Sequence, residues 1–312
     1  MSAHALVMRI EQLSSTKDAW AELWNKALTP IPFTSFEWYD ALAQNFLKSD
    51  PHVMVFCEND TIRGILPAFI SGETIRLLGD ERVTDLNDMI YASGYEEMIV
   101  EHLAGYITRN NLGVDFYPLE IDGPLVSGLS NRIPELTVQK KDCCPLLRLP
   151  GSWKEYLASL DAKSRHELRR KLKKVNGVVI EDVQPTETKR LFDLMALSDR
   201  NKREFLEPET MGFFTELVDA FHKRGWLRLR AAVMGNRIIG MILAFKFRGR
   251  VYLFNMGFDP AFRSLSPGIV TIGLDINSAI EEDCQYYDFL RGDEDYKYRL
   301  GAKERYTVRL KR

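Results

Sequence analysis

The chain has 312 residues, of which 45% are hydrophobic and 28% are charged, and its formal net charge at pH 7 is -2. This length predicts two domains of roughly 150 residues each or one large domain, and the composition is ordinary for a soluble globular protein. The small net charge excludes a nucleic-acid-binding surface over the whole protein, so any such patch must be local.

Cysteine spacing and the length of apolar runs exclude two further classes of protein. The four cysteines, Cys57, Cys143, Cys144 and Cys284, lack the spacing of zinc ligands, so we expect reduced, mostly buried thiols and no metal. The N-terminal residues lack the apolar segment of a signal peptide, and no stretch approaches the roughly 18 apolar residues of a membrane span. These observations predict a cytoplasmic location and no membrane-spanning segment.

The first half of the chain has the hydrophobic periodicity of one unit of strands and helices. A strand is followed by two helices, a meander of strands, a third helix and a closing strand. Residues 119–141 contain Pro124, Gly128 and Pro134 and predict an irregular linker, which divides the chain into domains 1–141 and 142–312. The predicted strands are 5–10, 52–58, 61–69, 74–78, 84–91 and 113–117, and the predicted helices are 16–28, 95–109 and one that Ser35 caps.

The second half of the chain repeats this order of elements. A strand, helices, a group of strands, a helix and a strand follow one another again, which predicts two domains of the same architecture. The predicted strands are 144–149, 178–183, 227–234, 237–247, 251–256, 286–290 and 306–310, and the predicted helices are 152–157, 159–177, 187–200, 208–223 and 267–282.

The helix predicted at 159–177 carries more basic than acidic side chains. Ser164 and Glu167 fit a capping box, although Asp161 could cap the helix instead. The basic face is either solvated or a docking face for phosphate groups of a cofactor, a lipid-linked substrate or RNA. The residues that share this face at four-residue spacing are Arg165, Arg169 and Lys173.

The segment 251–268 predicts a strand, a loop rich in Gly and Pro, and the start of a helix. Ser266 is a good N-cap, and Pro267 is a good first residue of the helix. Gly268 lets a ligand approach the backbone, and Arg263 adds positive charge. Since the first amides of a helix have no partner within it and carry partial positive charge, this stretch predicts either an anion site or an ordinary capped helix.

Two stretches of the second half carry a family resemblance. The run F-D-P-A-F-R-S-L-S-P-G at 258–268 and the run D-F-L-R-G-D-E-D-Y-K-Y-R-L-G at 288–301 resemble GNAT-like acyltransferases of the CelD-type cellulose-biosynthesis group. That group is related to the Fem-type aminoacyl ligases of peptidoglycan synthesis. The resemblance implies an α+β fold of two tandem GNAT-like domains, each a mixed, mostly antiparallel sheet flanked by helices. It also implies an acyl-donor site in the C-terminal domain.

The resemblance implies that the loop before the helix at 267–282 holds the pyrophosphate of acetyl-CoA or another acyl-CoA. The usual signature of that loop is Q/R-x-x-G-x-G/A, whereas residues 263–268 read R-S-L-S-P-G. The loop keeps the Arg and one Gly, but Ser replaces the first Gly and Pro267 removes one amide. A different donor, including an aminoacyl-tRNA, therefore stays open. The implied donor-binding residues are Arg263, Ser266, Gly268 and Ile269.

A cluster of charged residues and tyrosines follows the strand predicted at 286–290, where α/β folds place their sites. The implied chemistry is attack by an amine or hydroxyl on an activated acyl carbonyl, which needs oxyanion donors, a proton acceptor and positioning. Asp293 or Glu294 could accept the proton, and Tyr298 could protonate the leaving group. A salt-bridged surface turn is the alternative. The implied catalytic residues are Asp288, Asp293, Glu294 and Tyr298, and the implied substrate-binding residues are Arg165, Arg169, Asn255, Arg291 and Lys297.

The function implied by the resemblance is transfer of an acyl group from an acyl-CoA to an amine or hydroxyl of a cell-envelope sugar or peptide. Two alternatives stay open. A catalytically silent tandem GNAT module could bind an anionic partner and support exopolysaccharide or cellulose synthesis. A Fem-type ligase would instead take its aminoacyl group from tRNA, although the sequence has no heptad run of the coiled coil that such ligases often carry.

Overall fold

The computed structural model describes residues 6–47 and 49–312. Ala5, the first residue of the first predicted strand, lies outside this range. The chain divides into two units of contacting residues, which we call unit 1 and unit 2. Unit 1 consists of residues 1–142 and 306–312, and unit 2 consists of residues 143–305.

The order of helices and strands follows the sequence pattern through most of the chain. The strands are β1 (Val7–Gln12), β2 (His52–Glu58), β3 (Thr61–Leu66), β4 (Ala68–Ser71), β5 (Thr74–Leu77), β6 (Ile90–Tyr91), β7 (Gly113–Glu120), β8 (Thr137–Cys143), β9 (Leu146–Arg148), β10 (Val178–Asp182), β11 (Leu227–Met234), β12 (Arg237–Phe247), β13 (Arg250–Phe258), β14 (Tyr286–Asp288) and β15 (Tyr306–Lys311). The helices are α1 (Lys17–Lys26), α2 (Phe36–Leu42), α3 (Glu96–Arg109), α4 (Pro124–Ser130), α5 (Trp153–Ser159), α6 (Ala162–Lys174), α7 (Thr188–Ser198), α8 (Arg200–Phe205), α9 (Pro208–Lys223), α10 (Pro267–Glu281) and α11 (Asp295–Arg299).

Unit 1 contains sheets flanked by helices. The strand order is β1-β2-β3-β6 in one sheet and β4-β5-β7-β15-β8 in the other. The pairs β1–β2, β2–β3 and β4–β5 are antiparallel, whereas β5 and β7 are parallel. Leu103 of α3, Phe116 of β7 and Leu125 of α4 are fully buried in the same apolar core. Burial of this face holds the helices on the sheets.

The last strand, β15, completes a sheet of unit 1. The sequence pattern assigns residues 306–310 to the C-terminal domain, but Val308 pairs with Leu119 of β7 and Leu310 pairs with Phe116. Val308 and Leu310 are buried in the core of unit 1. Local periodicity predicts that these residues form a strand, but the choice of partner depends on contacts far away in the chain.

Residues 119–141 form regular structure, not the irregular linker that the sequence pattern predicts. β7 extends to Glu120, and α4 and β8 follow it. Pro124 occupies the first turn of α4, where the missing amide costs little. Gly128 lies so close to α3 that a Cβ atom there would be 2.6 Å from Cγ1 of Val100. Pro124 therefore starts α4 and Gly128 lets α4 pack closely on α3, although both residue types usually interrupt helices.

Unit 2 is built on a sheet with the strand order β10-β11-β12-β13-β14-β9. Its neighbouring strands are antiparallel apart from β13 and β14, which are parallel and are connected by α10. Helix α10 packs on the sheet through Ile272, Ile276 and Ala279. Both units therefore have mixed, mostly antiparallel sheets flanked by helices, which confirms the predicted α+β class.

The helices α5 and α6 of unit 2 begin with side-chain caps. Ser152 accepts a hydrogen bond from the amide of Glu155 at 3.2 Å in α5. Asp161 accepts hydrogen bonds from the amides of Lys163 at 2.9 Å and Ser164 at 3.0 Å in α6. Of the two caps that the sequence allows for α6, the structure has Asp161. In the part of the chain that the structure describes, none of the helices is long and apolar enough to cross a membrane.

Candidate functional site

Two parallel strands of unit 2 diverge inside the sheet. β13 and β14 pair only over Arg250–Tyr252 and Tyr286–Asp288, and β13 then continues beside β12 as far as Phe258. The register between β12 and β13 shifts just beyond the last of these pairs, so that Phe254 is an extra, bulged residue. Where a neighbouring strand ends early, the amides and carbonyls of the longer strand become available to other partners. The sheet is therefore open next to the end of β14.

A tight turn leads from β13 into α10. Asp259 begins the turn by accepting a hydrogen bond from the amide of Ala261 at 2.9 Å. Ser266 ends the turn in a left-handed conformation, with φ at 55°, and its side chain makes no capping hydrogen bond to α10. The prediction that the Ser266 side chain caps this helix is therefore wrong, because a capping side chain reaches the helix amides from an extended backbone. The Ser266 side chain therefore accepts no hydrogen bond from the first-turn amides of Gly268 and Ile269.

A cavity of about 290 Å³ lies at the start of α10, and we call it the α10 cavity. The predicted donor-binding residues Arg263, Ser266, Gly268 and Ile269 all line it. A Cβ atom at Gly268 would lie 3.1 Å from Cε of Met256, so this glycine serves the close packing of α10 on β13. The other residues of the wall include Met256, Phe258, Ile272 and Tyr296.

A second cavity of about 910 Å³ lies between α6, α10 and α11, and we call it the α6 trough. Ile269 and Tyr296 line both cavities, so the two spaces adjoin at these residues. Leu168 and Leu300 add apolar surface to the trough. The basic residues that line it are Lys163, Lys171 and Arg299.

Asp288, a predicted catalytic residue, is fully buried. Its carboxylate accepts a hydrogen bond from the amide of Leu290 at 3.0 Å and another from Nη2 of Arg305 at 2.8 Å. Nε of Arg250 lies 3.7 Å from the same carboxylate. The amide contact supports Leu290 in a left-handed conformation, with φ at 53°. Asp288 therefore holds the turn that follows β14.

Lys297, a predicted substrate-binding residue, is also buried, with 1% of its surface exposed. Its ammonium donates hydrogen bonds to the carbonyl oxygens of Arg291 at 3.1 Å and Gly292 at 3.0 Å. It also forms an ion pair with Glu294 at 2.8 Å, whose side chain is 56% exposed. Lys297 thus binds its own loop and orients Glu294 at the surface of unit 2.

Tyr298 and Asp293, two further predicted catalytic residues, are hydrogen-bonded to each other. The Tyr298 hydroxyl also lies 3.1 Å from Sγ of Cys143. The hydrogen bond with Asp293 raises the pKa of Tyr298 above its usual range, so the phenol is protonated at neutral pH. Tyr298 and Tyr296 are two residues apart on α11 and lie on different faces of it. Of these two tyrosines, Tyr296 is the one that lines the α10 cavity.

The remaining predicted substrate-binding residues do not line the α10 cavity. Nη1 of Arg165 donates to the carbonyl oxygens of Ala158 at 3.3 Å and Leu160 at 3.4 Å, so this side chain binds the end of α5. Arg169 is exposed on α6. Asn255 in β13 and Arg291 after β14 are both half-buried.

Lys202 is a candidate site residue that the sequence pattern misses. It lies on α8, which the sequence pattern treats only as a connection. Its ammonium donates a hydrogen bond to the carbonyl oxygen of Met256 at 2.6 Å, on the part of β13 that lies beyond β14. Burial lowers the pKa of Lys202 and Lys297 lowers it further, while Asp199 and Glu294 act against this shift. The sequence signal for α8 is Asp199, an N-cap residue type whose side chain caps this helix.

Metal ligation has no support in residues 6–47 and 49–312, where no group of His, Cys, Asp and Glu side chains is placed to hold an ion. All four cysteines are buried, and none of them forms a disulfide.

The family model of the acetyltransferase (GNAT) domain matches residues 162–298, from α6 to α11. A comparison with curated proteins gives no match.

Solved structures share the fold over nearly the whole chain. FemX has a TM-score of 0.67 at 10% identity, with 98% of this chain and 96% of FemX covered. A conserved protein of unknown function from Bacteroides thetaiotaomicron has a TM-score of 0.64 at 12% identity, over 98% of this chain and 99% of that one. The C-terminal domain of a putative lysylphosphatidylglycerol synthetase from Agrobacterium fabrum has a TM-score of 0.61 at 10% identity, over 96% of this chain and 92% of that one.

These TM-scores show a common fold and confirm the predicted tandem GNAT-like architecture. Residues 162–298 match the GNAT acetyltransferase domain, within a fold that is similar to FemX over 98% of the chain.

Proposed function

We propose that the chain is an acyltransferase that moves an acyl group from an acyl-CoA to an amine or hydroxyl of a cell-envelope sugar or peptide. The observation that carries this proposal is the α10 cavity, where the four predicted donor-binding residues meet. The match of residues 162–298 to the GNAT acetyltransferase domain supports the same class of reaction. The resemblance to the CelD-type group extends the proposal to a cytoplasmic enzyme that serves cellulose biosynthesis.

The α10 cavity has the chemistry of an anion site. The amides of Gly268 and Ile269 lie in the first turn of a 15-residue helix, where partial positive charge accumulates. Arg263 is exposed at the rim, and Nζ of Lys174 donates to a carbonyl oxygen of the preceding turn at 2.8 Å. Pro267 supplies no amide, and these two cations add charge in its place. Such a set of donors fits the diphosphate of an acyl-CoA, which supplies the activated carbonyl.

The chemistry forms a bond from the acceptor nitrogen or oxygen to the acyl carbon and breaks the bond from that carbon to sulfur. We assign Glu294 as the group that takes the proton leaving the acceptor, because it is an exposed carboxylate that lies close enough to Lys202 to act on its pKa. Lys202 is assigned as a cation near the acyl carbonyl. Tyr298, with Asp293, is the candidate that gives a proton to the leaving sulfur. Asp288 and Lys297 position the segment that carries Glu294.

A binding experiment tests the donor. Acetyl-CoA is expected to raise the melting temperature of the protein, because a ligand of the native state stabilises it by mass action. Arg263→Ala should reduce this rise, whereas Arg200→Ala should keep it. Arg200 is a suitable control because its side chain is 87% exposed and pairs with Glu204 on α8. If no acyl-CoA shifts the melting temperature at millimolar concentration, an acyl-CoA donor is excluded.

A second candidate is aminoacyl transfer from tRNA, which the whole-chain similarity to FemX favours. The two candidates differ in their donor. Electrophoretic mobility shift with aminoacyl-tRNA and thermal shift with acetyl-CoA, applied to the same preparation, separate them. Binding of acetyl-CoA without release of free thiol in the presence of amino sugars or peptides would support the third possibility, a silent binding module.

A further inference from the structure

Helix α6 concentrates positive charge in a chain whose net charge is negative. Its 13 residues include seven Lys and Arg residues but only one acidic residue, Glu167. The rest of the chain therefore has 35 of the 42 Lys and Arg residues and 43 of the 44 Asp and Glu residues. We call the exposed basic side chains of this helix the α6 basic face. They are Lys163, His166, Arg169, Arg170, Lys173 and Lys174.

The side chains of the α6 basic face lie on one side of the helix. Each of them is three or four residues from another member, and residues at this spacing are neighbours on a helix surface. The rise of 1.5 Å per residue places Lys163 and Lys174 roughly 16 Å apart along the helix axis. The face is therefore a row of cations about three turns long, and its members are close enough to one another to act together at physiological salt, where charges are screened over about 8 Å.

Most of these cations keep their charge available to a partner. Arg170 donates two hydrogen bonds to the carboxylate of Glu167, each 2.9 Å long. Nζ of Lys174 donates to the carbonyl oxygen of Ser264 at 2.8 Å, and that oxygen carries no net charge. The members of the face that form no ion pair with any side chain of residues 6–47 and 49–312 are Lys163, Arg169, Lys173 and Lys174.

The charge of the α6 basic face requires an anionic partner, and its other features favour a membrane surface over RNA. Helix α6 contains no Phe, Tyr or Trp, whereas recognition of single-stranded RNA depends on aromatic side chains that stack on the bases. A straight row of exposed cations can instead contact a flat layer of lipid headgroups along its whole length. Clusters of Lys and Arg beside a membrane are attracted to its anionic lipids.

We infer that the α6 basic face docks the protein on a membrane surface that contains anionic lipids. The inference goes beyond the proposed function, because it depends on neither the donor nor the reaction. It also explains how a chain with a net charge of -2 can approach a negatively charged surface, since only α6 needs to face that surface.

The apolar side of α6 determines the mode of attachment. Leu168 is 3% exposed, and Leu172 packs against the same apolar core of unit 2. Because these side chains are already engaged in the protein, α6 has no apolar face to insert between the lipids. The attachment is therefore ionic, and salt should reverse it. At about 1 M salt the screening length falls to about 3 Å, so the protein should leave the membrane.

Cosedimentation with lipid vesicles tests this inference. The protein should bind phosphatidylcholine vesicles that contain phosphatidylglycerol, and it should not bind vesicles of phosphatidylcholine alone. The double variant Arg169→Gln with Lys173→Gln should bind the anionic vesicles at least tenfold more weakly, because each cation near such a surface contributes roughly a factor of five. The matched control is Lys189→Gln with Lys223→Gln, which removes the same charge from exposed positions on α7 and α9 and should bind like the wild type. Circular dichroism verifies that each variant is folded.

Four results would overturn the inference. The first is that the wild type does not bind the anionic vesicles. The second is that the control variant loses as much affinity as the α6 variant, because net charge and not α6 would then govern binding. The third is that the wild type stays bound at about 1 M salt, since the attachment would then not be ionic. The fourth is that the α6 substitutions abolish an electrophoretic shift of tRNA and leave vesicle binding unchanged, which would assign the face to RNA. None of these results changes the expected binding of acetyl-CoA.

Discussion

Nε of Arg228 on β11 donates a hydrogen bond to Oδ1 of Asp275 on α10, 2.9 Å away in the interior of unit 2. The two side chains are 5% and 0% exposed. The other carboxylate oxygen of Asp275 accepts a hydrogen bond from the Tyr287 hydroxyl at 2.9 Å, and Nη1 of Arg230 is 3.2 Å from Oδ1. One carboxylate thus ties the helix that begins at the α10 cavity to two strands of the sheet.

Asp275→Asn is expected to lower the free energy of unfolding by about 3 kcal/mol, because it removes the fully buried carboxylate that Arg228 and Arg230 share and leaves them only the more exposed Glu282 and Asp182. Urea denaturation followed by circular dichroism measures this loss. Asp182→Asn is the control. Its carboxylate is 79% exposed and lies 2.9 Å from Nε of Arg230 without the alignment of a hydrogen bond. The control should lose less than about 1 kcal/mol. Equal losses in the two variants would contradict the assigned role of the buried pair.

Glu282 gives the stability of unit 2 a dependence on acid pH. Burial raises the pKa of Glu282, but hydrogen bonds from Lys246 and Arg228 outweigh burial and lower the pKa to about 2. The folded-state pKa is thus below the unfolded value of about 4.3, so the stabilisation is present above about pH 4.3 and is lost as the pH falls towards about 2. Glu282→Gln should flatten this acid limb in urea titrations at several pH values. A variant as pH-dependent as the wild type would exclude Glu282 as the cause.

Lys202 is expected to titrate at lower pH than a fully solvated lysine, because burial beside β13 disfavours its charged form. Reductive methylation with ¹³C-formaldehyde, followed by NMR titration from neutral to alkaline pH, would measure the pKa of each lysine side chain. The resonance of Lys202 is identified by its loss in Lys202→Arg. Titration of Lys202 at about 10.4, the usual pKa of a solvated lysine, would show that Lys202 is solvated, and its assignment near the acyl carbonyl would then lose its support.

Gly257 of β13 has no room for a side chain. A Cβ atom there would lie 2.3 Å from the backbone nitrogen of Met195 and 2.5 Å from the carbonyl carbon of Leu194 in α7. Gly257→Ala should therefore destabilise the protein by roughly 1–3 kcal/mol, since backbone has to shift. Thermal denaturation measures the change. Gly151→Ala is the matched substitution in open space, where the nearest atom is 3.7 Å away, and it should have little effect. A similar loss of stability in both variants would mean that replacing glycine by alanine destabilises the protein regardless of the space around it, and would contradict the role assigned to Gly257.

Local sequence signals predict the loop that we propose binds the donor. Arg263, Ser266, Gly268 and Ile269 are neighbours in one loop, so a motif of a few residues is enough to predict that they meet in a single cavity. The geometry of Ser266 was not predictable from the same motif, because a left-handed backbone depends on how the turn after β13 packs. The residue type was compatible with a cap, and the backbone conformation excluded it.

Contacts between distant residues explain what the sequence pattern does not predict. Lys202 reaches Met256 across 54 positions of sequence, and Asp288 reaches Arg305 across 17. No periodic pattern reports such a pair, because periodicity describes only which face of an element is apolar. The order of helices and strands was predictable for the same reason, since each element carries its own apolar face.

The position of β15 between β7 and β8 has a consequence for biosynthesis. Unit 2 is one continuous stretch of chain, whereas unit 1 needs residues on both sides of it. The ribosome therefore releases all of unit 2 before the sheet of unit 1 can close. Until then β7 and β8 each present an edge without its final partner, and such edges pair readily with other chains. We therefore expect the N-terminal half of the nascent chain to be prone to such pairing until β15 has left the ribosome.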